Sequence, residues 1–434
     1  MESDEEALRL SKANEAAWLQ VASLAEQVND LPKAANAYWH VIQQNEKNVH
    51  ALLQLASISR MQEHFGDAVE HLNRIIAIDG PSGEVLGAIG HCYLTLSQRA
   101  ESSPFILDCL GKCFDAYDEA STHLGANHDP NLWYGIGLLY ERYGALMQPG
   151  KEQCECFSAA EEALRTVMHA APHFEKRAEI LYRLGMIYTH QKQPQQALEC
   201  FQTICEQPPA PLSQADVWFL IGSVQEKMDA PAQEFAKKAY EHVLLLMQAN
   251  GDPKVSRVYR QLGWVCHKWG LETSLVGPPS TAQTAPLTCL RHALETDPHD
   301  VQNWHLLAKC LLDHSDFDGA YDCATQALRL EPSNGSLWAT LGALYLAADQ
   351  TADGIHALEH AVHLDPLAEA WYELGIARHA RLTASATEGA RINANAVTAA
   401  VEAYTCALTA CPYQRDDITR RLQQLHSLPT ASSQ

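Results

Sequence analysis

The sequence predicts an all-α solenoid made of about ten two-helix repeats, and three observations predict it. First, Trp304 and Trp338 lie 34 residues apart. Each is followed at matching distances by an apolar residue, a small residue and a second large apolar residue. These are Leu307, Ala308 and Leu311 in one copy, and Leu341, Gly342 and Tyr345 in the other. Second, the following stretch repeats too: Ala320, Ala324, Ala327 and Pro332 after Trp304, then Gly354, Leu358, Ala361 and Pro366 after Trp338. Third, no stretch alternates apolar and polar residues as a strand does. A fixed period of this length marks one supersecondary unit that buries its apolar face only by stacking on its neighbours.

The stretch NLWYGIGLLYERYG, residues 131–144, shows the same order as Trp133, Ile136, Gly137 and Tyr140. Its GIG is therefore a helix-packing motif. A phosphate-cradling loop would need a preceding strand. The order W-x2-L-G-x2-Y, then A-x3-F-x2-A, then P, is the tetratricopeptide repeat (TPR) pattern. The small residue sits where the first and second helices of a repeat meet closely. The proline falls in the turn after the second helix, which it cannot continue.

Walking the chain gives ten copies in a TPR superhelix spanning 15–412. First-helix anchors are Trp18, Leu52, Leu86, Trp133, Leu181, Trp218, Tyr259, Trp304, Trp338 and Trp371. The matching small residues of the second helices are Ala34, Ala68, Cys113, Ala160, Ala197, Ala236, Pro286, Ala320, Gly354 and Ala400. Pro286 fits worst, which makes the second helix of repeat seven the weakest element. Residues 1–14 read as an acidic segment ahead of the repeats. Residues 413–427 read as a polar-faced capping helix that covers the last apolar face, and 428–434 as a tail. Extra residues fall near 97–108, 147–157, 271–285 and 381–397. Insertions of this kind are expected as loops on one face.

Composition excludes several roles. Thirty-one basic against 53 acidic residues give a net charge of −22. Without a basic run, neither nucleic acid nor an anionic membrane is an expected direct partner. No apolar stretch is long enough to span a bilayer. The start, MESDEEALRL, lacks the features of a secretory signal. Thirteen scattered cysteines read as reduced thiols of an intracellular protein. Cys109 with Cys113, and Cys154 with Cys156, lack CxxC spacing, and Cys113 falls on a packing position. His356 and His360 lack the glutamate of HExxH. No catalytic motif appears, so no enzyme and no cofactor is expected. The 21 histidines look scattered over helix surfaces.

Recognition remains. First-helix positions free of packing should line a concave groove. They carry Leu19, Ser23, Leu53, Ser57, His91, Tyr134, Leu138, Tyr182, Met186, Phe219, Arg260, Trp264, His305 and Lys309. Aromatics between polar residues suit an extended or helical peptide. Two residues after each anchor stand Gln20, Gln54, Ala88, Gly135, Arg183, Leu220, Gln261, Leu306, Thr340 and Glu373. An asparagine ladder, as in glycosyltransferase arrays, is absent there, and a chaperone carboxylate clamp finds no support.

Several stretches go beyond the general repeat pattern: GEVLGAIGHCYL (83–94), DPNLWYGIGLLYERYG (129–144), HFEKRAEILYRLGMIY (173–188), QQALECFQTI (195–204), PPAPLSQADVWFLIG (208–222) and RQLGWVCHKWG (260–270). From about Ala16 to Leu425 the chain resembles the TPR subunit of the fungal general transcriptional corepressor, the Tup–Ssn complex. The resemblance implies a nuclear adaptor without enzymatic activity. It would bridge sequence-specific DNA-binding repressors to a WD40-repeat corepressor and histone deacetylases. In that family the first repeats hold the WD40 partner. Carried over, this gives Leu19, Ser23, Leu53, Ser57 and His91 to that partner, and Tyr134 onward to client repressors. Family members often add long Gln- or Pro-rich tails, which this sequence does not include. The metazoan histone lysine demethylases share a related TPR region but add an oxygenase domain not found here. A general cytoplasmic TPR scaffold or co-chaperone is the alternative. Trp133→Ala is expected to lose roughly 3–5 kcal/mol, read from a melting curve. Tyr134→Ala is expected to lose partner binding with little loss of stability.

Overall fold

The computed structural model describes residues 2–124, 129–148, 150–228, 232–250, 254–270, 285–387, 394–410 and 415–426. Among these, every regular element is a helix. Contacts group the chain into two compact units, Met1–Pro211 and Leu212–Gln434. The first unit holds α1 (Glu2–Gln27), α2 (Leu31–Gln44), α3 (Val49–Met61), α4 (Phe65–Asp79), α5 (Gly83–Arg99), α6 (Ser103–Leu124), α7 (Pro130–Leu146), α8 (Lys151–Ala170), α9 (Arg177–His190) and α10 (Pro194–Ile204). The second holds α11 (Gln214–Gln225), α12 (Ala232–Asn250), α13 (Val255–Trp269), α14 (Ala285–Thr296), α15 (Val301–Asp313), α16 (Phe317–Leu330), α17 (Gly335–Ala347), α18 (Thr351–Leu364), α19 (Ala368–Thr387), α20 (Ala394–Ala410) and α21 (Arg415–His426). Odd-numbered helices up to α19 carry the anchors, and each packs on the next helix.

One crossing repeats throughout. Four residues after an anchor, a small residue receives the side chain four residues after the second helix's own small residue. Gly90 receives Tyr117, Gly137 Leu164, Gly185 Phe201, Gly222 Tyr240, Gly342 Leu358 and Gly375 Tyr404. A methyl added at Gly185 would stand 2.5 Å from the Phe201 ring, and one at Gly342 2.6 Å from Leu358 Cγ. Pro286 keeps this register despite its chemistry. A Cβ at Gly263 would meet Leu290 and the Pro286 carbonyl oxygen, as one at Gly342 meets Leu358 and the Gly354 oxygen. The proline tolerates this position because it lies in the first turn of α14, where a helix needs no amide donor.

The period also governs the turns. Asn29, Glu63, Lys192, Ser315 and Asp349 all have φ between 59° and 66°, ending α1, α3, α9, α15 and α17. This left-handed residue lets the next amide reach back to an orphaned carbonyl: Asp316 N to Leu311 O at 2.9 Å, and Gln350 N to Tyr345 O at 2.8 Å. Between repeats, Asp300 and Asn334 cap α15 and α17 with side-chain oxygens. The prolines do more than stop a helix. The Pro298 and Pro332 carbonyls accept the indole N–H of Trp304 and Trp338, both at 2.9 Å.

Two expectations are corrected here. The extra residues of repeats three and four are not loops. They lengthen both helices of the hairpin, α5 with α6 and α7 with α8. Their apolar period continues without a break, so they bury Ile106 and Cys109 in one hairpin and Phe157 in the other. In repeat ten, α19 runs on to Thr387 and α20 begins at Ala394, so the described part of 381–397 is also helical. The insertion near 271–285 lies outside the described residues except for Ala285. The histidines are not all scattered. His40, His242, His292 and His360 occupy one register position of the second helices, each against its repeat's anchor ring. Trp18–His40 and Trp338–His360 centroids are both 4.5 Å apart. Trp218–His242 and Tyr259–His292 follow at 5.0 and 5.6 Å.

At the ends, α1 is continuous from Glu2, so the acidic residues belong to the first helix. Helix α21 buries Ile418 and Leu425 against repeat ten, and Asp417 accepts a 2.7 Å hydrogen bond from the Tyr372 hydroxyl. No described helix is both long and apolar enough to cross a membrane.

Gly185→Ala should lower stability by about 1–3 kcal/mol, because the Phe201 ring has nowhere to move. Gly111→Ala is the control: a Cβ there meets nothing within 4 Å. It should raise stability by up to about 1 kcal/mol through helix propensity alone. Thermal unfolding of the two variants checks both signs.

Candidate functional site

In each unit, first helices touch first helices of adjacent repeats: α5 with α7, and α13, α15, α17 and α19 in series. Among the described helices, second helices make no comparable contacts with each other. The first helices therefore crowd onto an inner face. In the first unit that face holds two adjoining hollows of about 480 and 590 Å³. Arg60, Glu84 and Ala88 line both, so they form one groove across repeats two to four.

Small residues open this groove. Gly87, Ala88 and Gly135 keep the faces of α5 and α7 low, and the Tyr117 ring lies beneath, against Gly90 and Gly135. The apolar end is formed by Leu53, Leu72, Ile75 and Val85. The polar end gathers Arg60, His91, Asn131 and Lys176, with Glu84 and Asp129 as counter-charges. Burial, then the Arg60 and Lys176 cations, hold His91 below its ordinary pKa, so it is neutral at pH 7. A groove with an apolar end, an aromatic floor and separated charges suits a peptide that is apolar at one end and charged at the other.

Of the residues expected to line a groove, Leu53 and Ser57 line the apolar hollow, and His91 and Tyr134 the polar one. Lys309 lines a separate hollow in the second unit. Ser23 is exposed, and Leu19, Tyr182, Met186, Arg260 and Trp264 are half-buried. Leu138, Phe219 and His305 are buried, and so is Tyr134, at 6 % exposure. The expected division between Trp133 and Tyr134 is thus corrected, for Trp133 is the more exposed of the two. The connection from α8 to α9, residues 171–176, is longer than the 45–48 connection. It lays Phe174 5.7 Å from the Tyr134 ring and Lys176 Nζ 5.1 Å above it. Beyond it, Arg183 joins Glu141 on α7 to Glu179 on α9, both at 2.8 Å. Burial works against the guanidinium charge, yet the two carboxylates hold it more firmly than usual. Tyr134→Ala should therefore cost about 3 kcal/mol of stability, which a melting curve reads.

In the second unit Arg260 pairs with Asp300, and the buried Asn303 donates to Ser256 Oγ at 3.0 Å. Phe219 lies under the Arg257 guanidinium, 4.5 Å away. The Thr340 hydroxyl donates to Ser336 O at 3.0 Å. Its oxygen must then accept from His305 Nε2 at 2.8 Å, which fixes the neutral Nε2–H tautomer. A hollow of about 300 Å³ beside them is lined by Lys309, Tyr372, Glu369 and Glu373. It carries more acid than base.

Among the described residues no three His, Cys, Asp or Glu side chains gather to hold a metal. Cys113 donates to Gly90 O at 3.1 Å, and burial pushes its thiol up to about 12.

Comparison with known proteins bears on the groove's owner. Residues 178–211, spanning α9 and α10, match the tetratricopeptide repeat family model. General transcriptional corepressor trfA of Dictyostelium discoideum is 36% identical over 326 residues, 75% of this chain and 21% of that protein. General transcriptional corepressor ssn6 of Schizosaccharomyces pombe is 36% identical over 325 residues, 75% of this chain and 26% of that protein. The chain is a tetratricopeptide-repeat homologue of these corepressors. It spans between a fifth and about a quarter of their length. The crystal structure of a tetratricopeptide repeat protein from Parabacteroides merdae shares the fold at 14% identity. Its TM-score is 0.50, over 68% of this corepressor homologue and 99% of that chain.

The groove residues that sequence reasoning missed include Arg60, Glu84, Asn131, Gly135 and Lys176. Glu84 and Asn131 share a register, two before their anchors. Ala88 and Gly135 occupy the position inspected for an asparagine ladder, where their smallness was the signal.

His305 generates a pH prediction. Burial, then Lys309, depresses its pKa to about 4 from the ordinary 6.5. As pH falls below about 6.5, the unfolded chain takes up the proton that the folded chain refuses. The contribution of His305 is therefore complete above pH 6.5 and is lost as pH falls towards 4, on the order of 3 kcal/mol in all. Urea midpoints between pH 7 and 4.5 should fall less steeply for His305→Gln than for the parent.

Proposed function

We propose that this corepressor homologue is a nuclear adaptor that carries no DNA-binding or catalytic activity of its own. Repeats one to three hold a WD40-repeat corepressor. The later repeats hold DNA-bound repressors, and histone deacetylases join the assembly so formed. The observation that carries this reading is the groove across repeats two to four in a homologue of general transcriptional corepressors. Its apolar end, around Leu53 and Ile75, supplies buried contact area. Arg60 and Lys176 at the other end fix the orientation of the bound segment through charge. The net charge of −22 supports the division of labour, because a strongly acidic protein leaves DNA to its basic partners.

Affinity purification of residues 1–434 from nuclear extract, with mass spectrometry, tests the proposal. A stoichiometric WD40 protein is the expected outcome. Leu53 is 42% exposed, so Leu53→Asp should leave melting unchanged. By placing a charge in the apolar end it should cut capture by roughly tenfold or more. Recovery of chaperones in place of a WD40 protein would overturn the adaptor reading.

A further inference from the structure

The repeats also form a cleft on the other side of α7 from the groove. Groove contacts come from Asn131, Leu132, Tyr134 and Gly135, whereas this cleft uses Trp133, Ile136, Leu139 and Tyr140. The cleft encloses about 500 Å³ between α6, α7 and α8. Its floor is aromatic. Phe114 of α6 meets Tyr140 edge to face, with centroids 5.2 Å apart and planes at 73°. Phe114, Ile136 and Tyr140 are only half-buried, so the Phe114 and Tyr140 rings border the open space.

The rims are acidic. Asp115 and Asp118 stand on α6 and Glu162 on α8, all three exposed. Among the described residues no basic side chain lines the cleft. Nearby cations on the same helices are already engaged: Lys112 with Asp108 at 2.7 Å, and Arg165 with Glu161 at 3.2 Å. Three carboxylates thus face an aromatic hollow with no ion pair among the described residues.

An aromatic floor attracts a cation through its ring quadrupoles, and a surrounding acidic rim adds Coulomb attraction in a partly dry site. A planar guanidinium fits best, because it can stack on a ring while donating sideways to carboxylates. We propose that this outer cleft docks a basic peptide segment of a partner protein, seating one arginine side chain against Phe114 and Tyr140. The chain can then hold a basic segment outside while its inner groove is occupied.

Fluorescence anisotropy of the full chain with a labelled peptide of four Arg-Gly dipeptides tests this at low salt. The Glu-Gly counterpart should not bind, and the Lys-Gly counterpart should bind more weakly. Asp118→Asn with Glu162→Gln should weaken arginine-peptide binding about tenfold or more, with an unchanged melting temperature. The control removes the same charge at exposed sites of the second unit, Asp318→Asn with Asp322→Asn, and should change affinity less than twofold. Phe114→Leu, judged on its folded fraction, should weaken binding severalfold. Equal weakening by both double variants would reduce the effect to net charge and overturn the proposal. So would a Lys-Gly peptide binding as tightly as Arg-Gly, or no binding by the parent chain.

Discussion

Everything in this fold hangs on the crossing of the two helices within a repeat. A glycine or alanine on the first helix lets a large side chain of the second lie almost against its backbone. Where the intruder is Tyr117, Phe201, Tyr240 or Tyr404, the ring fills the crossing and leaves almost no void. Close approach sets the hairpin geometry. Hairpin geometry decides which first-helix residues meet the next repeat and which face the groove. The groove between repeats two and four is deep for the same reason: Tyr117 sinks between Gly90 and Gly135, and the surface above it is left low.

The fold was legible because that crossing repeats. A small residue four after each anchor, and Pro286 in register despite its chemistry, are one-dimensional signals of a three-dimensional contact. Helix ends were legible where the period was kept. They were not where it was broken, since extra residues with a continuing apolar stripe extend a helix, and counting alone cannot distinguish that from a loop. Ser97 shows the difference, buried in α5 with its hydroxyl donating to Leu94 O at 2.6 Å.

The site was less legible. Leu53 and His91 were found because they face the groove in the standard register. Tyr134 shares a register with Leu53, yet it is buried because Phe174 comes from a connection whose path no helical period encodes. Arg60 and Lys176 lie near helix ends, outside the positions that define the repeat. The groove's depth came from what is missing at Ala88 and Gly135, and a search for chemistry passes over an absence.

The His305–Thr340 hydrogen bond has a mechanical meaning. An array of repeats behaves like a row of coupled units, each stabilised mainly by its neighbours, so opening propagates inward from an end. Several interfaces here carry polar links, such as Asn303 with Ser256 between repeats seven and eight. Between repeats eight and nine, a buried one-way chain runs from His305 through Thr340 to Ser336 O, and it must break before the two repeats separate. Parting the repeats exposes both groups to water, so the bond adds about 1 kcal/mol to the interface beyond its apolar contacts. Fraying that starts at α21 and spreads through repeats ten and nine therefore meets added resistance at this bond. The bond thereby biases the second unit towards opening beyond this interface before the repeats that precede it.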